Sequence, residues 1–155
     1  MLRYAHRHLA KTTALLGFLA AVACGSMAYA QADVIAERQK LMKEIGDGMK
    51  ALAPVFKGTE ALGEKAEASA KLIEANFSKA RYLFPAGSTS KDSDALETIW
   101  SENAGFLTGF DKAEESAAAV VEASARKEDA DFKAALAKLG QTCKSCHEKY
   151  RKPSN

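Results

Sequence analysis

Histidine and cysteine are scarce in this 155-residue chain, three of each, and there are three prolines and one tryptophan. No stretch alternates apolar and polar residues with the two-residue period of a half-buried strand, so a β-sheet fold is excluded. A formal charge of +2, from 22 basic and 20 acidic residues, is too balanced for a nucleic-acid-binding surface. No apolar run reaches the roughly 18–20 residues that a membrane-spanning helix needs. What remains is helix-forming sequence, rich in alanine, leucine, lysine and glutamate.

The first thirty residues read as an export signal. Arg3, Arg7 and Lys11 form a positive n-region without an acidic residue, and residues 14–23, ALLGFLAAVA, form a ten-residue apolar segment. Ala28-Tyr29-Ala30 then supplies the small-x-small cleavage pattern. The competing processing site is Cys24, at the end of AAVAC, where lipidation would anchor the chain instead; this box lacks the usual leucine three residues before the cysteine. Cleavage before Gln31 leaves one 125-residue domain, residues 31–155, with 19 basic against 20 acidic residues and a net charge of −1.

Four helical stretches are expected in that domain. The first covers about 32 to 52, with Ile35, Met42, Ile45, Met49 and Leu52 on one side, and Pro54 is expected to end it. The second starts after Thr59 as N-cap and runs to about 82. Pro85-Ala86-Gly87-Ser88 marks a turn-rich break. A third stretch, about 94 to 126, carries Ile99, Trp100, Phe106 and Phe110, with an irregularity expected near Gly105 or Gly109. The last, about 129 to 151 with Asp129 as cap, carries the stripe Phe132, Leu136, Leu139, Cys143, Cys146 and Tyr150. Four amphipathic helices with short connections predict an all-α antiparallel four-helix bundle.

Loss of the leader removes His6, His8 and Cys24, leaving His147, Cys143 and Cys146. Three ligands are too few for a tetrahedral Cys/His zinc site, and a thioredoxin-like redox pair would want a strand-to-helix junction that is missing here. Cys143-Lys144-Ser145-Cys146-His147 has the C-x-x-C-H spacing of covalent c-type haem attachment. One turn separates the two thiols, and His147 lies four residues after Cys143, so a single helix face presents two thioether sulfurs and an axial imidazole. One haem c per chain is expected, in the bundle interior.

The opposite axial position has few claimants. No second histidine survives, and both thiols are committed. Met42 and Met49, seven residues apart on the first helix, can both face the interior, either as a ligand or as core filling. Lys40 or Lys43 would have to lose a proton and leave the solvated face.

The late C-x-x-C-H followed by Tyr150-Arg151, Arg38-Gln39-x-x-Met42 in the first helix and Ile99-Trp100 in the third together resemble the class II c-type cytochromes, the cytochrome c′ family, over residues 31–155. KLMK at 40–43 is similar to the low-spin, cytochrome c-556-like branch, in which a methionine ligates the iron; high-spin members carry a bulky apolar residue there. The resemblance implies Met42 as sixth ligand, and Arg38 and Gln39 as contacts to a haem propionate. Arg38 also shares a helix face with Met42, where a guanidinium can pair with a carboxylate. Met49, Phe84, Trp100 and Phe106 are candidate haem walls, and Arg151 a neighbour of the proximal imidazole.

The function expected is electron transfer in the periplasm with other redox proteins, without enzymatic chemistry. The alternative is a five-coordinate protein that binds nitric oxide or carbon monoxide. The family also makes homodimers through its first two helices.

Overall fold

The computed structural model describes the backbone of residues 13–153 and the side chains of residues 33–153. The expected leader and Cys24 lie outside the fully described residues. The chain divides into two compact units, Met1–Asp33 and Val34–Asn155; all that follows concerns the second. Its elements are α1 (Thr13–Lys57, beginning upstream of the unit), α2 (Glu64–Ala80), α3 (Thr98–Ser101), α4 (Asn103–Arg126) and α5 (Asp129–Tyr150). No strand forms among the described residues beyond a single antiparallel bridge, Ala95 with Arg151. The short α3 is the broken start of the third long helix, so the result is an antiparallel four-helix bundle.

The amphipathic stripes meet as their periodicity requires. Leu41, Ile45 and Leu52 of α1, Ile73 and Phe77 of α2, Phe110 and Val120 of α4, and Phe132, Leu136 and Leu139 of α5 are all buried in one core. Burial of such side chains contributes about 1.5–3 kcal/mol each, the main favourable term in the fold. Contact between α1 and α2 is close: a Cβ on Gly48 would lie 2.8 Å from Ile73 Cγ1, and buried Asn76 donates to Glu44 Oε2 at 2.9 Å. On its other side α1 meets α5, with Met49 Cε 3.9 Å from where a Gly140 Cβ would be.

Several helix ends differ from the sequence expectation. Pro54 does not stop α1, which continues to Lys57. Gly58 stops it, at φ +75°, with Gly58 N–H donating to Val55 O and Thr59 N–H to Pro54 O. This 5→2 and 6→1 pair is a Schellman termination. Pro54 sits in the last turn, where its carbonyl accepts the closing bond from Thr59 N–H and its missing N–H forfeits a single i→i−4 bond. Thr59, expected to cap α2, instead completes the end of α1, its hydroxyl also donating to Pro54 O at 3.1 Å; α2 starts five residues later with Gly63 as N-cap.

The third helix breaks at Glu102 (φ −118°, ψ 39°), upstream of the two glycines expected to weaken it. At the next junction Lys127 takes the left-handed conformation, φ 56°, and Lys127 N–H and Glu128 N–H close the same termination onto Ser124 O and Ala123 O. Glu128, rather than Asp129, is therefore the N-cap of α5, without a side-chain cap bond.

Candidate haem site

α5 carries the chemistry. Cys143 and Cys146 are half-buried and unpaired, and His147 opens onto two neighbouring cavities. Burial pushes the Cys143 thiol up. Cys146 is pushed up to about 11 by burial and by its neighbour Cys143. Burial, and then the Arg151 guanidinium, lowers the proton affinity of His147. Two thiols that can add across carbon–carbon double bonds thus share a helix face with an imidazole whose protonation is disfavoured, which leaves it a lone pair to offer a metal.

The first cavity has a volume of about 380 Å³. Phe84, Ile99, Phe106 and Tyr150 form its apolar walls, and Arg38, Lys43 and Arg151 lie on its lining with Asp94. The second, about 310 Å³, is lined by Ile45, Met49, Phe77, Phe110 and Cys143 among others. Met42, Cys146 and His147 line both, so the two cavities form adjoining halves of one site between α1 and α5. Edge-on contacts fix the aromatic wall: Phe84–Phe106 at 4.8 Å, Phe106–Phe110 at 5.2 Å and Phe106–Tyr150 at 5.2 Å between ring centres.

The donor set and walls fit a haem. Two thiols and an imidazole share one helix face, the cavities beside them are mostly apolar, and the cationic Arg38, Lys43 and Arg151 on the lining of the first are opposite in charge to the acidic edge of the macrocycle. Cys143, Cys146 and His147 are placed to hold it, with Met42 on the opposing helix.

Other expected site residues divide. Lys43 lines the first cavity but is bound to Asp47 at 2.6 Å, which raises its proton affinity and disfavours it as an amine ligand; Lys40 reaches Glu37 at 3.5 Å and lines neither cavity. Trp100 is not on either cavity. It pins the α2–α3 connector instead, its Nε1–H donating to Pro85 O at 2.8 Å and Phe84 O at 3.2 Å. Arg151 lines the first cavity and bonds Asp94 Oδ2 at 3.0 Å.

Arg38 has a second set of partners that sequence reasoning missed. It is 3% exposed. Four of its five N–H donors go to the connector: Leu83 O (3.2 Å), Ser88 Oγ (3.1 Å), Ser88 O (3.0 Å) and Ser93 Oγ (2.9 Å). Gln39 likewise donates to Asp92 O at 2.7 Å. Both residues therefore bind protein here. The available signal was the density of serines from 88 to 93, which offer neutral acceptors opposite a conspicuous arginine.

A helical bundle with this site defines a c-type haem protein. Residues 33–151 match the family described as Cytochrome C'. A cytochrome c' of Rhodopseudomonas palustris is 38% identical over 127 residues, covering 80% of this chain and 85% of that protein. A cytochrome c-556 of the same organism is 33% identical over 139 residues, 85% of this chain and 91% of that one. The solved cytochrome c prime of Shewanella frigidimarina superposes with a TM-score of 0.74 at 28% identity, covering 79% of this chain and 97% of that one. The chain belongs to the cytochrome c′ family, whose members carry one covalently bound haem c.

Proposed function

We propose that the chain is a periplasmic electron-transfer cytochrome with a six-coordinate, low-spin iron. Cys143 and Cys146 form the thioethers, His147 is the proximal ligand and Met42 the sixth. The observation that carries this is the position of Met42, which lines both cavities together with His147 and Cys146, whereas Met49 lines one. The bound haem supplies a one-electron couple. The protein holds imidazole and thioether on opposing helices, so little need rearrange on electron gain or loss, and the thioether favours the reduced state. His147 is the only histidine after the leader, which leaves no distal imidazole for peroxidase-type acid–base catalysis.

Low-spin spectra in both oxidation states, with a methionine-to-iron charge-transfer band in the ferric form, are expected. Rapid carbon monoxide binding by the reduced wild type would overturn the six-coordinate reading.

A second reading, a five-coordinate gas-binding protein, is favoured by one observation. The 38% identical relative bears the name cytochrome c', and the cytochrome c-556 is 33% identical. The same carbon monoxide experiment separates the two.

Export rests on the leader sequence, and the start of the family match at residue 33 supports a mature domain beginning near Gln31. The intact mass of the exported protein should correspond to residues 31–155 plus one haem; a chain beginning at an acylated Cys24 would refute this. A homodimer through α1 and α2 fits the exposure of Phe56 and Leu72, 44% each, on those helices. Light scattering should then give twice the chain mass, and Leu72→Glu the single mass.

A further inference from the structure

The connector between α2 and α3, residues 81–97, contributes Phe84, Ser93, Asp94 and Ala95 to the first cavity and is held from three sides. The end of α5 stitches its far half: Leu96 N–H donates to Tyr150 O at 3.0 Å, Lys152 N–H to Asp94 O at 2.8 Å, and Lys152 Nζ to Ser93 O at 2.6 Å. Trp100 fixes its near half through the Phe84 and Pro85 carbonyls. From α1 comes Arg38, with its guanidinium carbon 4.5 Å above the Phe84 ring. Gly87 makes the last grip possible. Its φ of +70° and the Ser88 N–H to Pro85 O bond form a turn in which glycine alone sits without strain, and that turn delivers both Ser88 acceptors to the guanidinium.

All four of these Arg38 acceptors are neutral oxygens, and all belong to the connector. A buried cation is costly unless its donors are satisfied, and burial accordingly lowers its proton affinity. Lifting the connector would break these four bonds together and return the guanidinium to water. Closure of the segment and burial of this side chain are therefore one event.

We infer that residues 81–97 form a cover over the site and that Arg38 is its latch, a positioning residue that sets how readily a diatomic ligand reaches the iron. This rests on the two cavities being the haem site, and not on which group is the sixth ligand.

The test uses holoprotein carrying Met42→Leu, in which the sixth position is expected to be free, with Arg38→Met or Ser88→Ala added. Ser88 is 1% exposed and is not on the cavity lining, so its hydroxyl acts on the latch alone. Carbon monoxide association after flash photolysis should rise about tenfold in Arg38→Met, the change expected for about 1.4 kcal/mol lost from the closed state, and by less in Ser88→Ala. Amide exchange at Ser88, Ser93 and Leu96 should quicken in parallel. Ile73→Val, which loosens the α1–α2 contact away from the connector, should leave both readouts unchanged. The latch is refuted by association rates within twofold of the parent in both variants, or by an equal rise in Ile73→Val. If Met42→Leu does not bind carbon monoxide, the axial assignment falls; the connector amides then decide, and unchanged exchange in Arg38→Met refutes the latch.

Discussion

Met42 on α1 and His147 on α5 line the same two cavities, although 105 residues separate them in the chain. Antiparallel packing of the first and last helices brings them together. Met49, two turns further along α1, reaches the second cavity only. Met42→Leu should therefore convert the iron to high spin and admit carbon monoxide, while Met49→Leu stays low spin. Absorption spectra of both oxidation states check this. The reverse pattern would move the ligand to Met49, and two unchanged spectra would exclude methionine ligation by either residue.

Gly105 of α4 leaves room for the Tyr150 hydroxyl at the end of the aromatic wall. A Cβ on Gly105 would stand 2.9 Å from the Tyr150 hydroxyl oxygen, on a ring that is itself buried. Gly105→Ala should therefore destabilise the wild type. Without that oxygen the same substitution gains only its helix propensity, about 0.8–1 kcal/mol. Thermal melts in the wild-type and Tyr150→Phe backgrounds should thus show opposite signs. The same sign in both would remove the steric explanation.

Lys127 takes the left-handed conformation at the α4–α5 junction with φ 56°. A side chain there costs about 1–2 kcal/mol relative to glycine, partly offset because glycine adds entropy to the unfolded chain. Lys127→Gly should raise the stability of the holoprotein by up to about 1 kcal/mol without altering the haem spectrum. A lowered denaturation midpoint would show that the lysine side chain contributes more than its backbone strain costs.

The sequence was most informative where a residue acts through its own helix. Periodicity marked Ile35, Ile45, Leu52, Phe132, Leu136 and Leu139, all buried, and the C-x-x-C-H spacing put Cys143, Cys146 and His147 on the cavity side of α5. Termini were less legible. Pro54 and Thr59 are both used by one Schellman end whose deciding residue is Gly58, and a proline in a last turn loses only one internal bond. Arg38 was the least legible, because its partners at 83, 88 and 93 lie in an irregular segment whose path no periodicity describes. Trp100 was read as a wall for the same reason: its indole N–H partners are backbone carbonyls of that segment.

The thioether assignment gives the sharpest chemical test. Cys146 lines both cavities and Cys143 one, and the two thiols lie one turn apart on α5. In the proposed site each forms a separate bond to the macrocycle, so Cys143→Ala and Cys146→Ala should each retain haem through acid-acetone extraction at reduced yield. The double variant should retain none, even where it still binds haem through His147 and Met42. The pyridine haemochrome band should shift stepwise as vinyl groups replace thioethers. Haem that survives extraction from the double variant would require attachment through another residue and would remove the covalent role of both cysteines.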